Sequence, residues 1–134
     1  MSTKTVAEKL RITAGARLWI WDPAHLSLVT GLPQDVDTDA GPGEADVTLA
    51  FVEDAAALHR CLSEHGDALR QAPVNWIAYP KGNRADINRD TLARIAGDYG
   101  LRPNAQVAVD ERWSALRLRA LRPGEAPVEP GAAR

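Results

Sequence analysis

The stretch of sequence that decides the fold class is Val74-Asn75-Trp76-Ile77-Ala78-Tyr79-Pro80-Lys81-Gly82. Its first part, Val74–Tyr79, is mainly apolar on both sides of an extended chain, which is typical of a strand covered on both faces. Pro73 precedes it and ends any helix before that point. The stretch therefore predicts a buried strand whose carboxyl end carries Tyr79-Pro80-Lys81-Gly82.

Two runs upstream have the same character. Arg17–Trp21 and Asp46–Val52 are apolar on both faces, so they predict two more buried strands. Asp54 can cap a helix between the second and third strands, where apolar residues recur at helical spacing. Strand–helix–strand units of this kind place neighbouring strands parallel and join them by right-handed crossovers.

The chain after Gly82 is predicted to form one more helix and then to turn back on itself. Asn88 can cap that helix, and Gly100 can end it. Gln106–Val109 and Ser114–Leu118 alternate between apolar and polar residues, as strands of an antiparallel hairpin do. The predicted sheet is therefore mostly parallel, with an antiparallel hairpin at its carboxyl-terminal end.

The amino-terminal third is less regular. Thr5-Val6-Ala7-Glu8 has the pattern of a capping box, which predicts a short helix. Ala24–Leu32 is compatible with a short helix or with an irregular loop, and Gln34–Gly43 with a loop that holds at most a short strand. Residues 1–122 are predicted to form one domain, and 123–134 a disordered tail, because the tail has little to bury.

Composition and charge exclude several classes of protein. The 134 residues have a formal net charge of -2, which argues against a nucleic-acid-binding protein. No apolar run has the length of a membrane span, and no signal peptide is recognisable. The single cysteine, Cys61, rules out an intramolecular disulfide. We therefore expect a cytoplasmic protein without nucleic-acid or membrane partners.

The second half of the chain resembles the end of a Rossmann-like methyltransferase, which has a strand, a helix, a strand with a Pro-Lys end, a helix and an antiparallel strand pair. The resemblance implies a Rossmann-like three-layer sandwich of the α/β class. The first half departs from the pattern, because Asp22-Pro23-Ala24-His25 stands after Trp21 in place of a glycine-rich cofactor loop. The resemblance thus implies a shortened fold without a cofactor.

The chain is also similar to a family of small bacterial proteins of unknown function. The markers of that likeness are Val6–Leu10, Trp76–Gly82, Asp86–Asp90 and Gln106–Arg117. They cover most of the chain but carry no assigned reaction, so this resemblance implies no activity.

Ligands of open α/β sheets bind outside the carboxyl ends of the parallel strands. The polar residues at these ends and at the hairpin are therefore the ligand-binding candidates: Asp22, Lys81, Gly82, Arg84, Asn88, Arg89, Asp110 and Trp113. Cations beside a helix start suit an anion, because the first helical amides and the helix dipole favour negative charge. The competing interpretation is that Asp86 and Asp90 pair with these cations.

Other groups predict no site. His59 and Cys61 point to different faces of one helix, which argues against a shared metal, and Cys61 fits a small core residue. The acidic residues of the loop before Asp46 lack the glycine and glutamate of a calcium loop. Trp113 has two interpretations, a core residue or an aromatic face for a partner. No metal and no catalytic residue are assigned.

Three functions follow as hypotheses. The first is a non-catalytic, vestigial methyltransferase-like domain that binds a partner protein or a small anion around Lys81. The second is an S-adenosylmethionine-dependent methyltransferase or another small cleft enzyme, with Asp22, Lys81 and Asp110 in one cleft. The third is a homodimeric interaction module that pairs through the exposed edge of the hairpin.

Overall fold

The computed structural model describes residues 4–82 and 85–125. The helices and strands follow along the chain in this order: α1 Val6–Lys9, β1 Leu18–Trp21, β2 Val47–Phe51, α2 Ala55–Gln71, β3 Val74–Pro80, α3 Arg89–Asp98, β4 Leu101–Ala108 and β5 Trp113–Ala120. Two 3-10 helices, Pro23–Leu28 and Pro42–Glu44, lie between β1 and β2.

The described strands form a five-stranded sheet in the order β1-β2-β3-β5-β4. β1, β2 and β3 are parallel, and β5 is antiparallel to both β3 and β4. β4 consequently runs in the same direction as β3, on the far side of β5. The predicted α/β class, with a mostly parallel sheet and a terminal antiparallel hairpin, is confirmed.

The long helix α2 covers one face of the sheet, together with α3. Asp54 caps α2 because its side chain accepts a hydrogen bond from the backbone N–H of Ala57 at 2.8 Å. The stripe of α2 that contains Leu58, Leu62 and Leu69 is buried against the strands. Burying each such leucine stabilises the fold by about 1.5–3 kcal/mol. The sheet and these helices form the larger core.

The opposite face is covered by α1, a 3-10 helix and the loops of the amino-terminal third. Thr5 and Glu8 form the predicted capping box of α1, which is confirmed. Trp76 lies in β3 below this layer, and its indole Nε1–H donates to the backbone carbonyl of Leu10 at 2.9 Å. The buried indole is thus satisfied at its polar atom. The fold has three layers, with the thinner outer layer on this side.

A polar pair joins two strands inside the core. The hydroxyl of Thr48 in β2 donates to Oδ1 of Asn75 in β3 at 2.7 Å, and both side chains are buried. The Asn75 amide nitrogen in turn donates to the carbonyl of Leu69 at 3.4 Å. The one polar residue of the strand Val74–Tyr79 is therefore paired rather than exposed.

β4 begins earlier than predicted, at Leu101 instead of Gln106. Pro103 interrupts the alternation, and the pairing with β5 shifts register between Pro103 and Ala105. A proline and a bulge are tolerated because β4 is an edge strand. Both features discourage pairing of this edge with a second chain, and a homodimer through it stays a prediction.

The stretch between β1 and β2 holds the 3-10 helix Pro23–Leu28, which resolves the alternatives for Ala24–Leu32. Gln34–Gly43 has no strand apart from an isolated bridge between Asp37 and Arg17. The predicted tail falls mainly on residues 126–134, which lie outside the described residues. None of the described helices is both long enough and apolar enough to cross a membrane.

Candidate functional site

The carboxyl ends of β1, β2 and β3 lie at one edge of the sheet, because the three strands are parallel. The amino end of β5 and the carboxyl end of β4 reach the same edge. Two cavities with opposite charge open there. We name them the acidic cavity, at the ends of β1 and β2, and the basic groove, at the ends of β3 and β4.

The acidic cavity has a volume of about 280 Å³. Its lining combines two aromatic rings, three carboxylates and one guanidinium. The lining residues are Trp21, Asp22, Phe51, Glu53, Asp54, Ala57 and Arg60. Asp54 already caps α2, so Asp22 and Glu53 are the carboxylates left to meet a ligand.

Asp22 follows β1 directly and has a left-handed backbone, with φ 69° and ψ 70°. This conformation normally favours glycine, although aspartate tolerates it better than most residues. The sharp turn after the first strand is therefore present without the glycine that the sequence pattern requires. Pro23 follows and offers no N–H, so the side chains rather than the backbone supply polar groups at this turn.

His25 stands beside Asp22 and is held by aromatic rings. Its ring stacks on Phe51 with centroids 5.0 Å apart and meets the edge of Trp113 at the same distance. Its Nδ1 lies 3.0 Å from Asp22 Oδ2. The angles are not those of a hydrogen bond, and this buried nitrogen has no hydrogen-bond partner among the described residues. The two atoms are thus in close contact without hydrogen-bond geometry.

Asp22, His25 and Glu53 together could hold a metal ion. Each offers one ligand atom, and these atoms lie within 4.8 Å of one another. A nitrogen with two carboxylate oxygens suits a first-row divalent cation. The sequence predicted no metal site here, because the closeness of Glu53 to Asp22 and His25 depends on the pairing of β1 with β2.

The basic groove has a volume of about 610 Å³. The ends of β3, β4 and β5 and the start of α3 form its walls. The lining residues are Tyr79, Pro80, Lys81, Gly82, Asn88, Arg89, Gln106, Val107, Ala108 and Ser114. No carboxylate is among these described residues, so the groove carries the positive charges of Lys81 and Arg89 without a compensating acid in its lining.

A chain of hydrogen bonds forms the floor of the basic groove. The Gln106 side-chain amide donates to Tyr79 Oη and to Ser114 Oγ, each at 3.1 Å. Ser114 in turn donates to the carbonyl of Val107 at 3.2 Å. The phenol oxygen of Tyr79 accepts from Gln106, and no hydrogen bond donated by the Tyr79 O–H is found among the described residues. Tyr79 is only 4% exposed and lines the groove, so its O–H is available to a ligand there.

The loop after β3 is anchored at both ends. The backbone N–H of Lys81 donates to the carbonyl of Arg112 at 2.8 Å. Asp86 Oδ1 accepts from the backbone N–H of Ala55, the first residue of α2, also at 2.8 Å. Within the described ranges 4–82 and 85–125, neither Lys81 nor Arg89 forms an ion pair. The competing interpretation, in which Asp86 pairs with these cations, is therefore not what the structure shows.

The start of α3 faces the basic groove. Asn88 caps the helix, because its side-chain oxygen accepts from the backbone N–H of Thr91 at 2.9 Å. The amides of Arg89 and Asp90 have no acceptor in the described part of the chain. A helix start with unoccupied amides adds positive potential to the groove.

The predicted site residues divide between these places. Lys81, Gly82, Asn88 and Arg89 line the basic groove, whereas Asp22 lines the acidic cavity. The cleft that was predicted to unite Asp22, Lys81 and Asp110 is thus two cavities, neither of which Asp110 lines. Arg84 lies outside the described residues.

Asp110 and Trp113 have structural roles. Asp110 Oδ1 closes the hairpin turn, because it accepts from the backbone N–H groups of Arg112 and Trp113 at 2.8 and 2.7 Å. Trp113 is 4% exposed and packs edge-on against Phe51 and His25. Of its two interpretations, the structure supports the core residue.

Cys61 carries no chemistry in this fold. It is buried in α2, and this burial, with a smaller contribution from the charge of Glu64, raises the pKa of its thiol to about 12. A thiol in that state is a poor nucleophile.

Asp46, at the end of the acidic loop, accepts from the backbone N–H of Arg17 at 2.9 Å, which lowers the pKa of the Asp46 carboxyl.

The groove-lining residues that sequence reasoning missed are Tyr79, Gln106 and Ser114. Tyr79 was noted as a strand end but not as a ligand contact. The predicted hairpin alternation puts Gln106 and Ser114 on one face, which was the available signal. Their approach to Tyr79 depends on the register Tyr79↔Ser114 between β3 and β5, which no local pattern reveals.

Neither a protein-family model nor a curated protein sequence matches the chain. Several solved structures do. A protein of the NADB-Rossmann superfamily from Streptococcus agalactiae has a TM-score of 0.56 and 13% identity over 90% of this chain and 70% of its own. Sp1610 from Streptococcus pneumoniae, solved with S-adenosyl-L-methionine, has a TM-score of 0.55 and 14% identity over 87% and 74%.

A further similar structure is the tRNA methyltransferase TrmK from B. subtilis, with a TM-score of 0.52 and 13% identity over 86% of this chain and 63% of that one. The resemblance to a Rossmann-like methyltransferase fold is thereby confirmed. The expectation that the domain is non-catalytic is corrected, because the solved structures that share its fold include methyltransferases. Identities this low establish the fold of the chain and leave its reaction open.

Proposed function

We propose that the chain is an S-adenosylmethionine-dependent enzyme of the methyltransferase type, with the cofactor held in the acidic cavity. One observation carries the proposal: the cavity at the ends of β1 and β2 combines aromatic rings with the carboxylates of Asp22 and Glu53. Such a lining suits a ligand with a positive charge next to apolar groups. The similarity of the fold to methyltransferases supports the same assignment.

The donor set of the acidic cavity fits the amino-acid end of this cofactor. S-adenosylmethionine has a sulfonium cation close to an ammonium and a carboxylate. Asp22 and Glu53 can accept from the ammonium, and Trp21 offers a ring face to a cation. Arg60 can bind the carboxylate with charge-assisted hydrogen bonds. Each charged group at the amino-acid end of the cofactor therefore has a complementary partner in the lining of the acidic cavity.

The size of the cavity limits what it encloses. Its 280 Å³ lies close to the lower end of ligand pockets, about 300 Å³. We therefore assign the cavity to the amino-acid and sulfonium end rather than to the whole cofactor. When bound, the cofactor would supply an electrophilic methyl group.

The chain's own residues would orient the amino-acid end of the cofactor and exclude water from it. Phe51 is 1% exposed, and together with Trp21 it forms the apolar part of the wall. The carboxylates of Asp22 and Glu53 fix the cation from the ends of two neighbouring strands. Rigid strand ends hold such groups more firmly than a loop does.

Calorimetry with the wild type and matched variants tests the proposal. We expect S-adenosylmethionine to bind and Asp22→Asn and Glu53→Gln each to weaken it about tenfold, since hydrogen bonds to charged groups contribute about 1.5–3 kcal/mol. S-adenosylhomocysteine lacks the sulfonium charge but keeps the ammonium that Asp22 and Glu53 contact, so it should lose about as much affinity in the same variants. Glu111→Gln is the control, because Glu111 is exposed on the hairpin turn.

Two results would contradict the proposal. One is the absence of heat from both ligands at high protein concentration. The other is an equal loss of affinity in Glu111→Gln and in the cavity variants, which would indicate a general effect of surface charge.

A second candidate is a divalent-metal enzyme that uses Asp22, His25 and Glu53. It is favoured by the buried His25 Nδ1, which has no hydrogen-bond partner among the described residues. His25→Gln separates the candidates, because it should abolish binding of Zn²⁺ in calorimetry while leaving the affinity for S-adenosylmethionine within a few-fold. Wild-type protein that takes up no Zn²⁺ would eliminate this candidate.

A further inference from the structure

The basic groove presents hydrogen-bond donors and positive charge at its rim, at the start of α3 and on its floor. Lys81 and Arg89 stand at its rim without ion pairs in the described part of the chain. The start of α3 contributes the amides of Arg89 and Asp90. The floor contributes the O–H of Tyr79. A surface with this composition is complementary to an acceptor-rich, negatively charged molecule.

The Tyr79 hydroxyl is the most specific of these donors. The Ser114 hydroxyl donates its one hydrogen to the Val107 carbonyl, so the Ser114 oxygen must accept from the Gln106 amide. This orientation of the Gln106 amide makes Tyr79 Oη a second acceptor of the same NH₂ group. A buried donor without an acceptor costs free energy, and a ligand oxygen in the groove would remove that cost.

The volume of the groove indicates more than an inorganic ion. Its 610 Å³ lies well inside the range of small-molecule sites, about 300–1,000 Å³. Its walls also include Pro80, Val107 and Ala108, which offer apolar contact beside the charged rim. The groove therefore has space for an organic body in addition to an anionic group.

The two cavities differ in charge although they share one edge of the sheet. The acidic cavity has carboxylates left for a ligand, whereas the described lining of the basic groove has none. Asp86 lies between Gly82 and Asn88 in sequence, but its carboxylate accepts from the Ala55 amide and forms no ion pair with Lys81 among the described residues. At this edge of the sheet, the acidic cavity therefore favours a cationic ligand and the basic groove an anionic ligand.

We infer that the basic groove binds a small organic anion, with its phosphate or carboxylate group between Lys81, Arg89 and the start of α3 and a polar oxygen on Tyr79. Its role as the methyl acceptor rests on the proposed function, whereas its binding does not. A protein partner is the less favoured occupant, because the donors converge on a concave site rather than on a flat surface.

Amide chemical shifts of the full chain, at constant ionic strength, test the inference. The probes are adenosine monophosphate and citrate, with neutral adenosine as the uncharged match. We expect both anions to shift the signals of Lys81, Gly82 and Asp90 in a saturable way, and adenosine to leave them unchanged. A response to adenosine monophosphate and citrate alike would assign the site to phosphate and carboxylate groups in general, and a response to one alone would identify the preferred group.

Variants make the test specific. Lys81→Gln and Arg89→Gln should each weaken the anion about tenfold, and Tyr79→Phe should weaken it a few-fold without loss of the fold. Arg94→Gln is the matched control, because Arg94 is an exposed cation of the same helix outside the groove. The circular dichroism of each variant shows whether it folds.

The inference is overturned if none of the anions shifts these signals, if adenosine shifts them as much, or if Arg94→Gln weakens binding as strongly as Lys81→Gln. The outcome also separates this inference from the proposed function. An anion that binds in the groove while S-adenosylmethionine gives no heat would leave the groove as a binding site and would remove only its role as the methyl-acceptor site.

Discussion

The carboxylate of Asp86 accepts a hydrogen bond from the backbone N–H of Ala55 at 2.8 Å. This contact joins the loop after β3 to the first residue of α2. The amino terminus of α2 is thus capped from its own chain neighbour, Asp54, and from a distant loop. It also explains why Asp86, the first acidic residue after Lys81 in sequence, does not pair with it.

Removing this contact should affect both stability and the loop. We expect Asp86→Ala to lower the free energy of unfolding by about 0.5–2 kcal/mol, the range for loss of a helix cap. Asp86→Asn keeps an oxygen acceptor and should lose clearly less. Urea denaturation measures the stabilities, and hydrogen exchange of the Ala55 amide should accelerate in Asp86→Ala. Equal stability of all three proteins would show that the contact contributes nothing.

The buried pair of Thr48 and Asn75 gives a second prediction. Thr48→Val should cost about 1–3 kcal/mol, because it leaves Asn75 Oδ1 buried without a donor. Adding Asn75→Val should recover part of the loss, since it removes the unsatisfied group. Denaturant titrations of the single and double variants form a double-mutant cycle. Additive losses would contradict the direct coupling of the two side chains.

Glu125 makes stability depend on pH at the end of β5. The Arg119 guanidinium donates two hydrogen bonds to it and the Arg122 N–H a third, which lower the pKa of its carboxyl from 4.5 to about 2. A pKa lowered in the folded state stabilises above the unfolded value, and this contribution disappears as the pH falls from about 4.5 to about 2.

Glu125→Gln should therefore lower Tm by a few degrees at neutral pH, and the difference from the wild type should shrink as the pH approaches 2. Thermal unfolding at a series of pH values measures this. Arg122→Gln is the control, because Arg122 acts through its backbone and should leave the profile unchanged. A difference in Tm that stays constant over the acid range would disprove the linkage.

Cys61 should be inert in the folded protein. Its thiol is buried and its pKa is raised to about 12, so little thiolate is present at neutral pH. Ellman's reagent should react with it only in denaturant, where one thiol per chain becomes available. Rapid modification of the native protein would contradict the core role assigned to Cys61.

Much of the fold could be predicted because its signals are local. The capping residues Asp54 and Asn88 predict the starts of α2 and α3. Apolar runs predict β1, β2 and β3. The start of β4 escaped prediction because Pro103 and the bulge after it interrupt the alternation on an edge strand. Edge strands tolerate such breaks, so sequence alternation underestimates their length.

The candidate site was predictable only in part. Lys81, Asn88 and Arg89 were found because they follow a strand end or begin a helix. Asp22 was also predicted, but the absence of a glycine-rich loop after β1 suggested that the cofactor-binding turn was missing. The residue type does not reveal that Asp22 adopts the left-handed backbone itself. Contacts that depend on strand register, such as Gln106 with Tyr79, lie beyond local patterns.

The measurement that tests the central claim most directly is the titration of isotope-labelled protein with S-adenosylmethionine, followed by amide chemical shifts. We expect saturable shifts that concentrate on Trp21, Asp22 and Glu53 and on the first turn of α2, with the signals of Lys81 and Arg89 largely unaffected. The absence of shifts at any ligand concentration, or shifts confined to the basic groove, would contradict the assignment of the cofactor to the acidic cavity.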